Sequence, residues 1–384
     1  MNESDSRPDE DFARAHGFDG DHVAGLDPLR MDGLLPALRT MNAAADLRGL
    51  TGMLHARVLA LPEPAAFSVA ECLAAMRDLG LLAGSVKRHG AEPVDAVPGL
   101  EAVLLELGRR TRMVPRDTVH HYVRWNPAGA RARMYTGDRM ETMLISSVRI
   151  SLPRLSAAVR VCRRLAALEP HDLRFVVAAN ELVSLLGSLE DSLDTVIATV
   201  SPEFFARTLR PYFEDMRVGG ARYLGPAAAH VPLGLVDLVL WAGDHADAGY
   251  EELWRESARY GLPGWRALSE EWAAGPSLVT RLGSALAAGE TSPNIRAGAE
   301  ALSRALHSLV AFRGKHLTIA RKAYAEEIRL YPLGSGGGSV ALLDQVMRLT
   351  RANAGLVRRS FKTGRRPLTP GDDATGEVRA CRGS

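Results

Sequence analysis

The sequence predicts an all-α protein, and three observations carry that expectation. The strongest segments repeat apolar residues at helical spacing, period-2 runs rich in Val, Ile and aromatic residues are scarce, and aromatics make up only 6% of the chain. This pattern does not suit a sandwich, a barrel or an alternating α/β domain. With 384 residues, 46% of them hydrophobic and 24% charged, the chain has ordinary globular usage and room for about two domains.

Residues 1–26 open with seven acids from Glu3 to Asp21 against Arg7 and Arg14, which predicts a disordered acidic arm. Residues 27–130 are expected to form a small helical domain. Segments 67–82 and 100–107 are rich in Ala, Leu and Met and lie between turns containing Gly and Pro. A loop-like stretch with Pro115, Trp125-Asn126-Pro127 and Tyr135-Thr136-Gly137 sets the boundary. Residues 131–360 then form the large helical domain, with helices over 142–168, 173–197, 202–215, 231–242, 296–328 and 340–358. The stretch rich in Gly, Arg and Pro at 361–384 is expected to be a mobile tail.

Several functions are excluded. A net charge of +2 provides no field for a nucleic-acid backbone. The most apolar long stretch, 225–243, is broken by Pro226, His230, Pro232 and Asp237, so it reads as a core helix and not a membrane span. Cys72, Cys162 and Cys381 have no metal-ligand spacing, and the N-terminus lacks the apolar core of a signal peptide, so a reducing cytoplasm is the expected compartment. His120-His121 and His245 lack further ligands at metal spacing, and neither H-E-x-x-H nor G-x-S-x-G occurs.

Four features remain as candidates for chemistry. His316 continues the stripe Leu302, Leu306, Leu309 on one helix face, so its imidazole points inward, either as a satisfied core histidine or as an axial haem ligand. Asp237 sits in the apolar run Leu235-Val236-Asp237-Leu238-Val239-Leu240-Trp241. A buried carboxylate there must accept from a metal-bound imidazole, from an arginine or from the backbone. Gly334-Ser335-Gly336-Gly337-Gly338-Ser339 lacks the strand and the Gly-Lys-Ser/Thr ending of a nucleotide cradle, which leaves a linker or a lid. Arg210 and Arg313 adjoin apolar segments, and each can pair with a carboxylate.

Four segments, Phe204-Phe205-Ala206-Arg207-Thr208-Leu209-Arg210, Val236-Asp237-Leu238-Val239-Leu240, Phe312-Arg313-Gly314-Lys315-His316-Leu317 and Gly334-Ser335-Gly336-Gly337, occur in the order seen in the indoleamine 2,3-dioxygenase superfamily of haem enzymes. Further segments narrow the match: Met76-Arg77-Asp78-Leu79-Gly80, Ser85-Val86-Lys87-Arg88-His89-Gly90, Trp125-Asn126-Pro127, Tyr135-Thr136-Gly137, Arg217-Val218-Gly219-Gly220 and Tyr223-Leu224-Gly225-Pro226. With these the chain resembles the monodechloroaminopyrrolnitrin synthase family over about residues 65–360.

The resemblance implies an indoleamine 2,3-dioxygenase-like helical fold with a large haem-binding domain and a smaller N-terminal one. It also implies haem b, with His316 as the iron ligand, Asp237 as acceptor for that imidazole and Arg313 at a haem propionate. Gly225, Pro226 and Ala227 would form the backbone segment over the distal face. Arg210 would meet the carboxylate of a tryptophan-like substrate, Phe205 would pack on its indole, and Tyr324 and Ser335 would lie at the substrate. A regular helix sets Phe205 and Arg210 about 140° apart, so aiming both at one ligand needs a distorted helix or a long reach.

The implied reaction takes dioxygen and a reductant, and converts a tryptophan-like substrate, 7-chlorotryptophan, by indole rearrangement and decarboxylation to an aminophenylpyrrole for antibiotic biosynthesis. Dioxygenases carry a run richer in Gly and Ser where Pro226 stands, which favours the pyrrolnitrin-type reaction here. The rival readings are a haem dioxygenase or hydroxylase of another aromatic amino acid, a non-catalytic haem sensor or carrier, and a haem-free helical scaffold.

Overall fold

The computed structural model describes residues 20–363 except 62, 227–230, 274 and 291. The fold is all-α, with one two-stranded hairpin among the described residues. The chain is packed from Gly20 onward. Helix α1 (Gly20–Gly25) buries Val23 completely, and Arg77 donates to the carbonyls of Val23 and Leu26. The acidic-arm expectation therefore fails for residues 20–26, where burial and a guanidinium fix the backbone, and its remainder, 1–19, lies outside the described residues.

Helices α2 (Leu35–Ala43) and α3 (Leu47–Leu59) lead into α4 (Val69–Arg88). A reciprocal capping box between Ser68 and Glu71 starts α4. This helix is buried on nearly every side, and neighbours approach it closely at two glycines. A Cβ on Gly80 would lie 2.3 Å from the Asp117 carboxyl carbon, and one on Gly84 would lie 2.7 Å from the Tyr135 hydroxyl, so neither position has room for a side chain. Short α5 (Pro93–Ala96) and α6 (Leu100–Thr111) follow.

The long α7 (Arg139–Ala167), capped by Asp138, carries Pro153 on its exposed side. The single helix expected over 173–197 is two, α8 (Leu173–Leu186) and α9 (Ser188–Thr199). They part at the Gly187-Ser188 pair, where the Ser188 hydroxyl takes the Leu185 carbonyl at 2.8 Å. The hairpin β1 (Met216–Val218) and β2 (Ala221–Tyr223) pairs Met216 with Tyr223. It turns on Gly219 and Gly220, both at positive φ, as a two-residue hairpin requires. Then come α10 (Val231–Asp237), α11 (Gly243–His245), α12 (Ala248–Ala258), α13 (Pro263–Trp272), α14 (Leu278–Ala287), α15 (Pro293–Ala323) and α16 (Val340–Thr363). Helix α16 enters the expected tail, whose residues 364–384 lie outside the described residues.

Two apolar cores result. One runs from Leu29 to Val218 and so continues past the boundary expected near residue 130, while the other gathers α8, α10 and α12 to α16. Helices α4 and α7 contribute to both, Leu73 and Leu155 facing one core, Leu79 and Leu152 the other. No helix among the described residues is long and apolar enough to cross a membrane.

Candidate active site

A cavity of about 370 Å³ lies where the two cores meet, within the size range of ligand sites. Its wall is mostly apolar, with Tyr122, Leu152 and Phe213 from one core and Leu155, Leu235 and Trp265 from the other. Phe205, Pro226, Arg313, His316, Tyr324 and Ser335 also line it. Six of the ten singled-out residues thus share one hollow. Gly225 stands next to it, and its lack of a side chain is required, since a Cβ would meet the Phe213 carbonyl oxygen at 2.5 Å. Ala227 lies outside the described residues.

His316 projects from α15 as its apolar stripe predicts, with Leu302, Leu306 and Leu309 buried on the same face. Its ring stacks on Phe312 at 5.8 Å and 12°. Among the described residues neither ring nitrogen has a hydrogen-bond partner. Burial, reinforced by the Arg313 charge, holds the imidazole below its ordinary pKa of 6.5. It is therefore neutral at pH 7, the form that binds metal.

Asp237 is fully buried at the end of α10, and its carboxylate accepts from the Trp241 indole N–H at 2.8 Å, from the Tyr250 hydroxyl and from Arg313. Arg313 also donates to Thr350. The structure does not join Asp237 to His316. Of the partners open to this carboxylate, the arginine prevails, because a desolvated guanidinium and a desolvated carboxylate each require an opposite charge. The same pairing keeps Arg313, which was expected at a propionate, on Asp237 and Thr350.

The segment expected as a helix over 202–215 is a π-helix (Phe204–Leu209) followed by a 3₁₀ turn (Arg210–Phe213). The Arg210 amide donates to the Phe205 carbonyl, the i→i+5 bond that brings residues five apart nearly into line. This supplies the distortion that a shared ligand demands. Phe205 faces the cavity, while the Arg210 guanidinium reaches the Phe213 carbonyl at 3.2 Å, the Leu333 carbonyl at 3.4 Å and the face of Tyr331 at 4.4 Å. Its Nε is buried without a partner.

The Gly-Ser run forms a closed turn, with Gly334 N–H on Gly338 O at 2.9 Å and Gly337 N–H on Gly334 O at 3.0 Å. It walls the cavity through Gly334, Ser335, Gly336 and Gly338, so of the two readings open in the sequence it fits a cover and not a linker. Tyr324 caps α15, and its hydroxyl lies against Arg210 and the Ser335 amide. Burial pushes that phenol above its ordinary range, which keeps it a proton donor. Sequence reasoning missed Tyr122, Glu141, Tyr250 and Thr350. The only signals for them were the discarded His120-His121-Tyr122 run and the Tyr135-Thr136-Gly137 turn that Glu141 ties down through three amides.

Fold and site together define an all-α protein built around a partly open, mostly apolar hollow with an inward imidazole. The family model described as monodechloroaminopyrrolnitrin synthase PrnB matches residues 62–368. The chain belongs to that family, whose members are enzymes of pyrrolnitrin biosynthesis.

Proposed function

We propose that this protein is a haem-dependent oxygenase that converts a tryptophan-like substrate, 7-chlorotryptophan, by indole rearrangement and decarboxylation to an aminophenylpyrrole. The observation that carries this reading is His316, a neutral, inward imidazole whose ring nitrogens have no hydrogen-bond partner among the described residues, on the wall of an apolar cavity. A haem-binding site needs such a ligand and such a lining. His316 would hold the iron, and the backbone of Gly225 and Pro226 together with Phe312 would border the macrocycle. Ferrous haem, once bound and kept reduced by an external donor, supplies the activation of dioxygen.

The chain's own groups bind and orient the substrate. Arg210 has a free Nε and a long bond to Leu333, so a substrate carboxylate improves its coordination. Phe205 packs on the indole. The Tyr324 phenol and the Ser335 hydroxyl orient polar atoms of the substrate, and the apolar wall keeps water from the reacting ring.

The test is reconstitution with haem, reduction with dithionite, then addition of oxygen with 7-chloro-L-tryptophan or L-tryptophan, with products followed by mass spectrometry. The reading expects a decarboxylated, rearranged product. N-formylkynurenine as the sole product refutes it in favour of plain dioxygenation. His316→Ala is expected to lose the axial-imidazole spectrum, and Arg210→Ala to keep it while raising KM for the amino acid.

A further inference from the structure

Three tyrosines run in series from the cavity wall toward the surface, and the proposed function uses none of them. Tyr122 lines the cavity, and its ring lies 6.0 Å from that of Tyr135. Tyr135 stacks on Tyr212 at 4.6 Å and 23°, and Tyr212 meets the half-buried His89 edge-on at 6.2 Å. Phe213 braces the bend, 5.3 Å from Tyr122 and 5.9 Å from Tyr135. Tyrosine is among the side chains most easily oxidised by one electron, and rings at these separations exchange electrons rapidly.

The proton that must leave with the electron has a place to go. The Tyr122 hydroxyl donates to Oε1 of fully buried Glu141 at 2.9 Å. The Tyr135 and Thr136 amides, each at 2.8 Å, fix that carboxylate in position. The Tyr135 ring is fixed too, its hydroxyl set in the gap left by Gly84.

We propose that Tyr122, Tyr135 and Tyr212 form a conduit carrying electrons from a surface reductant of the ascorbate class to an oxidant generated in the cavity when peroxide reacts without a bound indole. The inference rests on the haem reading, which supplies the place of oxidation. Each hydrogen peroxide takes up two electrons and two solvent protons and yields two waters. The electrons arrive singly from two reductant molecules at the Tyr212 end. As Tyr122 gives up each electron, its O–H bond breaks and the proton passes to Glu141, returning when Tyr135 re-reduces the ring. Tyr135 and Tyr212 in turn release their phenolic protons to water and regain them with the electrons that follow, so no residue is consumed. The conduit thereby protects the site during turnover without substrate.

The experiment uses haem-reconstituted protein, with the Soret band recorded first. Hydrogen peroxide is then added without substrate, and freeze-quenched samples are examined by electron paramagnetic resonance. The wild-type protein is expected to show a tyrosyl radical, and ascorbate should quench it and slow Soret bleaching severalfold. Tyr135→Phe and Tyr212→Phe keep the rings packed while removing the oxidisable phenol, and both are expected to lose the ascorbate protection with an unchanged initial Soret band. A normal Soret band in all three proteins, with identical radical signals and identical protection, overturns the inference alone. A protein that takes up no haem overturns the reading beneath it, and the conduit falls with that reading.

Discussion

At the scale of single residues, the buried carboxylate of Asp237 shows what composition alone can and cannot convey. An acid within an apolar helical run announces that it has partners, and the sequence flagged it on that ground. Which partners it takes depends on α12 and α15 arriving beside α10, with Tyr250 thirteen positions away and Arg313 seventy-six, and no local pattern encodes that meeting. His316 was legible for the opposite reason, because its orientation follows from helical spacing within one segment. Asp237→Asn would leave the Arg313 guanidinium buried without a counter-charge, and a stability loss of about 3–5 kcal/mol is expected. Chemical denaturation of the two proteins checks this, and a midpoint shift within error would show that Arg313 finds another anion.

At the scale of elements, the informative departures are three π-helical turns, two inside segments that periodicity read as ordinary helix and one, 120–124, in the stretch read as loop. Residues 204–209, 120–124 and 238–242 are all π-helical, and each borders the cavity. Apolar spacing cannot separate i→i+4 from i→i+5 bonding over so short a run, so the distortion that aligns Phe205 with Arg210 was invisible in the sequence. The strap from Ala325 to Ser339 is likewise shaped by remote anchors. Arg207 holds the carbonyls of Glu327 and Ile328, and Tyr331 donates to Glu214. Because Arg207 is exposed, Arg207→Ala is expected to leave the fold intact while speeding tryptic cleavage after Arg329 severalfold. Unchanged cleavage kinetics would mean that the strap is held by Arg210 and Glu214 alone.

At the scale of the whole molecule, the all-α class was readable from the chain, whereas the sharing of α4 and α7 between two cores was not. That sharing is long-range packing, and it moves the organisation away from a division at residue 130. It also buries several histidines. Burial lowers the pKa of His120 to about 3 and that of His121 well below 6.5, and it depresses His245 and His316 as well. The unfolded chain takes up protons near pH 6.5 that the folded chain refuses, so stability is fully present above that pH and declines as pH falls toward 3. Each such histidine contributes a slope of up to about 1.4 kcal/mol per pH unit. Asp117, whose carboxyl burial raises, opposes the trend but is outnumbered. Urea midpoints measured from pH 7 to pH 4 should fall steadily, and His120→Phe should flatten the fall by about one such slope. A flat wild-type profile would contradict the burial of these rings.

Each π-turn accommodates one residue more than the α-turn it replaces. A relative that lacks the extra residue near position 206 would present its following arginine rotated off the Phe205 face, even where neighbouring letters match. Gapless alignment across that point would equate side chains looking in different directions. Comparisons within this lineage therefore need single-position indels allowed at three named places before any residue is judged equivalent or replaced.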